Sequence, residues 1–415
     1  MQSENQYINL FRECRNMLFG HSAEVMNAVR DRAFDDFCRQ GFPTRKVERY
    51  KYTDMAALFA PDYGLNLNRL DIPVNPYDAF RCDVPNLSTS LYFVVNDAFY
   101  SKAQPKGHLP EGVVVDSLSA FAEKNPELVA RHYARIARTD DDAVTALNTM
   151  LAQDGLVVYV PKNVRVDRAV QVINILRSDV DLMVNRRVLI IVEEGAEIKL
   201  LFCDHAADDR RFLATQVIEA YVGENAGLDL YCLEETHAKN VRVSNLYVEQ
   251  QRGSRLNHNI ITLHNGITRN RADVVLAGEG AECRMNGCVI ADKQQHVDNN
   301  TLIDHRAAHC TSNELYKYVL DGAATGAFAG RVLVRKGSQK TVSEMRNQNI
   351  CATREARMYT QPMLEIYADD VKCAHGSTVG QLNDAALFYM RQRGISLKEA
   401  KLLLEFAFIN DCLLY

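Results

Sequence analysis

Four short segments that align at a period near 28 residues constrain this chain more than any other feature of its 415 residues. They are AEIKL (196–200), AGLDL (226–230), SRLNH (254–258) and AECRM (281–285). Their third positions, Ile198, Leu228, Leu256 and Cys283, fall 30, 28 and 27 residues apart. The fifth positions are Leu200, Leu230, His258 and Met285, and the fourth are the polar Lys199, Asp229, Asn257 and Arg284. Alternation with period two is the signature of a strand with one buried face. One copy cannot bury that face alone, but stacked copies can, with their strands parallel and about 4.8 Å apart. The pattern predicts a parallel β-helix, or β-solenoid. A β-sandwich is the competing reading, but it favours strands every roughly 8 to 12 residues without the longer register.

The flanks read differently. Residues 4 to 40 carry apolar spacing near that of a helix, and Gly41-Phe42-Pro43 ends it. Thr53 or Asp54 is placed to cap a short helix, and the tyrosines at 50 and 52 are expected to pack on the next domain. LYFVVNDAF (91–99) reads as a strand and a turn. Ser117 or Ser119 is placed to cap a helix that Pro126 interrupts. Beyond 382 the chain is helical again. Asn383 or Asp384 caps one helix, Gly394 stops it, and Ser396 with Glu399 forms a capping box for the next. That last helix bears two apolar stripes, one through Ala400, Leu403, Leu404, Ala407 and Phe408, the other through Leu402, Phe406, Ile409 and Leu413. One stripe suffices to dock a helix on its own protein. The second needs the small terminal domain or another protein. The chain is thus expected to be mainly β, with a helical domain over residues 1–154, a solenoid core over 155–368 and a helical domain over 369–415.

Apolar residues make up 47% of the chain and charged residues 24%, with a formal charge of −5. That is a globular composition with no basic field for nucleic acid. No apolar run is long enough for a bilayer, and the N-terminus does not read as a secretion signal, so a cytoplasmic protein is expected. The 11 cysteines are scattered and are expected as free thiols. Two arrangements invite a zinc reading, Cys283 with Cys288, and His305 with His309 and Cys310. Neither has paired structural-site spacing. There is no P-loop, nucleophile elbow, ferredoxin-type cysteine set or dinucleotide fingerprint. A self-contained enzyme active site is disfavoured. His296, Asp298, Asn299, Asn347 and Asn349 are expected at coil corners, bonded to neighbouring backbone.

Several ordered strings carry a resemblance: GFPTRKVERYKYTD, ALNTMLAQDGLVVYVPKNV, QQHVDNNTLIDH, ELYKYVLDG, QKTVSEMRNQN and, most closely, LEIYADDVKCAHGSTVGQL. Together they resemble the SufB/SufD family of iron–sulfur cluster assembly subunits over nearly the whole chain. Tyr50 stands where that family usually has Trp. The Cys-Ala-His string and the missing cysteine-rich N-terminal extension favour its SufD branch. The resemblance implies a right-handed parallel β-helix between helical domains, and a non-enzymatic scaffold subunit in a SufBCD complex. It implies pairing with SufB through the β-helix and binding of the ATPase SufC through the helices from Asp384 onward, with Tyr389, Arg393, Leu402, Phe406 and Ile409 as candidate contacts. It further places His375 at the junction with SufB, as a candidate iron ligand of a transient, nascent iron–sulfur cluster, with Cys373 two residues away. No tightly bound cofactor is implied. A homodimer is expected when the chain is isolated. Two other readings are a SufB-like scaffold acting as a homodimer and a β-helix carbohydrate-active enzyme.

Overall fold

A computed structural model describes residues 2–79, 89–102 and 109–413. The chain winds as a parallel β-solenoid whose strands alternate between two facing sheets. The repeat sheet holds Val170–Leu176, Glu197–Ala206, Gly227–Glu235, Arg255–His264, Glu282–Ala291, Thr311–Leu320, Val342–Cys351 and Lys372–Gly380. The facing sheet holds Leu156–Val160, Leu182–Val192, Phe212–Val222, Val241–Gln250, Ile267–Leu276, His296–His305, Thr325–Val334 and Arg357–Ile366.

The four aligned segments lie in one ladder. Ile198 pairs with Leu228, Leu228 with Leu256, and Leu256 with Cys283, and all four are buried. The column runs on through Ser312, Ser343 and Cys373. The fifth positions likewise continue as Glu314, Met345 and His375. A single apolar core follows the interior from Tyr92 to Ala368, each buried aliphatic side chain contributing about 1.5–3 kcal/mol.

One corner recurs in successive coils. The residue opening each repeat follows a left-handed residue: Gly195, Asn225, Gly253 and Gly280, with φ between 55° and 70°. His309 and Lys340, both at φ 61°, hold the same corner in later coils. Asn and Gly tolerate this conformation best. A side chain at Gly253 would also meet Asn225 Oδ1 at 2.5 Å.

The N-terminal helices cover the outer face of the facing sheet. Phe11 (helix Gln2–Gly20), Phe37 (helix Arg30–Gln40) and Leu147 (helix Ala143–Leu151) share a buried cluster with the outward Met183, Leu213 and Val241. The expected caps form. Ser117 accepts from Ala120 N for the helix Leu118–Lys124, and Pro126 opens a second helix, Pro126–His132. Asp54 caps Met55–Leu58. Thr53 instead donates to Asp298 on the solenoid. Tyr50 is buried beneath Arg269, and Tyr52 stacks on Tyr359. At the far end Asn383 caps Asp384–Gln392, and Gly394 has φ 83°. Ser396 and Glu399 exchange reciprocal bonds at the start of Leu397–Leu413.

Solenoid strands extend past residue 368, to Gly380, and the helices begin at Asp384. The last strand, KCAHGSTVG, carries too little apolar alternation to read as a coil. Ser90–Val95 also joins the repeat sheet from within the first 154 residues, separated from its neighbour Val170–Leu176 by a helical insertion.

Candidate functional site

The solenoid ends abruptly. Arg357–Ile366 and Lys372–Gly380 are the last strands of their sheets, and among the described residues nothing pairs with their outer edges. Most of the last strand is exposed. Lys372 N–H bonds inward to Thr341 O. With period two, the amides of 373, 375, 377 and 379 therefore face outward. On the other edge Pro362, which has no amide to offer, occupies an outward position, because Arg357 N–H bonds inward.

Cys373 and His375 lie on this last strand, in register with Ser343 and Met345. Both of those partners are fully buried interior residues. Cys373 and His375 therefore occupy inward columns, side by side on one face. No coil follows to cover them, so His375 is exposed and Cys373 half-buried. Burial nonetheless holds the Cys373 thiol above its ordinary pKa, which favours its neutral form.

The strand bearing them is stitched down from inside. Asn349 Nδ2 donates to Thr378 O at 2.8 Å, and Asn347 Nδ2 to Tyr316 O at 3.1 Å. The two amides also bond each other. Both asparagines are buried, so they bond neighbouring backbone as expected, but from strand interiors. His296, Asp298 and Asn299 likewise sit within a strand, His296–His305.

Next to the open end lie the C-terminal helices. Helix Leu397–Leu413 docks on the outside of the repeat sheet. Ile409 is buried against Cys288 and Val319, and Ala400 is fully covered. Lys317 Nζ donates to Phe408 O at 2.7 Å and sits 4.6 Å from that ring, tying the helix to the sheet. Ile409 is therefore an anchor to the chain's own solenoid and not a free contact for a partner. Seven residues from Leu402 and three from Phe406, it lies on the same side of the helix as both, at the edge where that side meets the repeat sheet. Phe388, Tyr389, Leu402, Leu403 and Phe406 are each more than half exposed, and the last three share one side of the final helix, a free apolar face. Arg393 lies 3.5 Å over the Tyr389 ring. Leu403, assigned by spacing to the docked stripe, belongs to this free face. Leu413 is outside the residues whose side chains are described.

Neither zinc arrangement comes together. Cys283 and Cys288 are five apart on one strand and so face opposite sides, Cys288 outward to Ile409. His305 is buried and bonds Ser312, while His309 is an exposed corner. Among the described residues no three His, Cys, Asp or Glu side chains form a metal-binding group.

A polar spine that residue periodicity does not reveal runs inside the solenoid. Arg186 bonds Asp204 at 2.5 Å, and Arg242 bonds Asp204 and Asn270 at 2.9 and 2.7 Å. Asn270 donates to Asn299, and Asn299 to Tyr318. Nearby, neither carboxylate oxygen of Glu314 has a hydrogen-bond partner, and burial pushes this carboxyl up to about 7.

Fold and site together define a two-sheet parallel solenoid with helices over the outer face of one sheet, an open last coil, and an apolar helical arm beside it. Residues 1–172 match the model of the SufBD protein N-terminal region, and residues 175–408 that of the SUF system FeS cluster assembly SufBD core domain. A SufBD family iron–sulfur cluster assembly protein of Synechocystis is 26% identical over 414 residues, covering 96% of this chain and 89% of the relative. The iron–sulfur cluster assembly protein SufD of Escherichia coli is 26% identical over 380 residues, covering 90% and 85%. SufD of Bacillus subtilis is 24% identical over 302 residues, covering 72% and 69%. The chain belongs to the SufBD family of the SUF iron–sulfur cluster assembly system. That assignment leaves the carbohydrate-active reading without support. No helix among the described residues is long and apolar enough to cross a membrane.

Proposed function

We propose that this chain is a SufD-type scaffold subunit, non-enzymatic by itself. Its open solenoid end receives a SufB-type chain, and its C-terminal helices receive the ATPase SufC. One observation carries the reading: both sheets end in free edges on the very coil that presents Cys373 and His375. Unpaired edges of nine and ten residues are templates for strand addition. A two-fold axis perpendicular to the sheets sets each edge antiparallel to its counterpart, continuing both sheets at once. A paralogous solenoid fits that geometry, and so does a second copy, which supports a homodimer for the isolated chain. Either partner would cover the imidazole and thiol, giving a buried junction where iron of a nascent cluster can be ligated. The cluster is cargo there, and no resident cofactor is needed. The exposed apolar side chains of Phe388, Tyr389, Leu402, Leu403 and Phe406 match a docking surface for a partner helix pair.

Co-expression with SufB- and SufC-type chains tests this. A ternary complex should co-purify, and His375→Ala should lower cluster yield while leaving the complex intact. A complex that assembles clusters at the normal rate with alanine at 375 would refute the role given to that residue. Failure to co-purify would refute the scaffold reading.

A further inference from the structure

The segment Glu48–Thr53 lies as a strap across the outer face of the facing sheet. Its root is held strongly. Arg49 bonds Asp273 at 2.5 and 3.1 Å and Asn300 at 2.7 Å, and Arg269 donates to Arg49 O at 2.7 Å. Thr53 bonds Asp298 at 2.6 Å and His296 at 3.0 Å. Tyr50 lies under Arg269, 3.9 Å from its guanidinium, and bonds Asp142. These contacts fix the strap to Ile267–Leu276 and His296–His305. The strap's tip then reaches the terminal strand itself. Tyr52 stacks on Tyr359, with centroids 4.7 Å apart and planes 19° from parallel, and Gln361 donates to Glu48 at 2.7 Å. Tyr359 and Gln361 are outward residues of Arg357–Ile366, the strand whose far edge is free.

An edge strand with one hydrogen-bonded side frays, and a partner strand must find it in register. From these contacts we infer that the strap is a brace for the receiving strand and forms part of the rim of the junction. The occupant is another solenoid of the same fold, because only a two-sheet end matches both free edges together. A strand added to Arg357–Ile366 lies about 4.8 Å from it, so its outward side chains must flank Tyr359 and Gln361, which already carry Tyr52 and Glu48. The N-terminal domain thereby contributes to an interface made by the far end of the solenoid. This inference rests on the edge-pairing reading above.

Self-association of the full chain, followed by sedimentation velocity, tests it with a second copy as the partner. Tyr52→Ala should raise the dimer dissociation constant roughly three- to tenfold, the range expected for a lost aromatic pair, with the melting temperature unchanged. Tyr52→Phe keeps the stack and should restore wild-type affinity. A control, Ser377→Pro, removes an outward amide from the last strand and should abolish pairing. If Tyr52→Ala stays within twofold of wild type while Ser377→Pro abolishes pairing, the brace is overturned and edge pairing stands. If Ser377→Pro pairs normally, edge pairing falls and the brace with it. A wild-type chain that remains monomeric overturns the inference and leaves co-purification with a SufB-type chain as the separate test of the scaffold reading.

Discussion

Replacing Glu314 by glutamine should make the protein more stable at alkaline pH, although it changes a single buried side chain and breaks no hydrogen bond. Glu314 occupies an inward column between Met285 and Met345, both fully buried. Neither carboxylate oxygen has a partner. Desolvation raises its pKa from 4.5 to about 7, against the pull of the neighbouring Thr301 hydroxyl. Below pH 4.5 the carboxyl is protonated in both folded and unfolded chains, and no penalty exists. Above that, the unfolded chain sheds its proton while the folded one keeps it, so stability falls as pH rises. Above about pH 7 both states are ionised and the full penalty persists. Each pKa unit is worth about 1.4 kcal/mol, so the rise from 4.5 to about 7 converts to about 3 kcal/mol. Glutamine carries no such dependence. Denaturant unfolding of both proteins from pH 5 to 8.5 should therefore show their stability difference shifting by most of that amount in favour of the variant. Glu234, also pushed up to about 7, is common to both and cancels. Parallel profiles across this range would refute the claim that Glu314 is buried without compensation.

Other perturbations have different signs and sizes. Glu219→Ala removes the fully buried partner of Arg187 and the acceptor for the amides of residues 134–137. It should cost about 3–5 kcal/mol in an unfolding titration. Leu402→Glu with Phe406→Glu, both at exposed positions, should weaken capture of SufC roughly a hundredfold in a pull-down and leave the melting temperature unchanged. Ile409→Ala should instead loosen the helix from the solenoid at a cost of about 2–4 kcal/mol, read as faster amide exchange in Leu397–Leu413. Gly253→Ala, at φ 63° and against Asn225 Oδ1, should cost about 1–3 kcal/mol.

The solenoid was legible because four consecutive coils keep apolar residues at every third position and at all fifth positions but His258, and the structure places those positions in one ladder. Beyond Met285 the pattern fades, yet the winding continues. Inward positions there include Ser312, Ser343, Glu314, Asn347 and Asn349. Most are satisfied by neighbouring coils: Ser312 bonds both His305 and Ser343, and the asparagines bond backbone on either side. A polar interior residue with a partner in the next coil costs little, but in sequence it is indistinguishable from an outward one. The terminal helices show the complementary limit. Their caps were readable from local residues, while the division of apolar stripes into docked and free faces was not, because Ile409 and Leu403 are distinguished only by where the repeat sheet lies.

The same reasoning bears on Cys373 and His375. They continue the two inward columns that hold Ile198 and Leu200, through every intervening coil. Their exposure arises from position alone, since the stack stops with them. In a longer solenoid the same side chains would be core. A partner that adds one more coil to each sheet returns them to the interior without altering a backbone angle in this chain. Under the proposed pairing, an open coil whose inward residues are a thiol and an imidazole would become a closed chamber on association and return to a solvent-facing strand on separation.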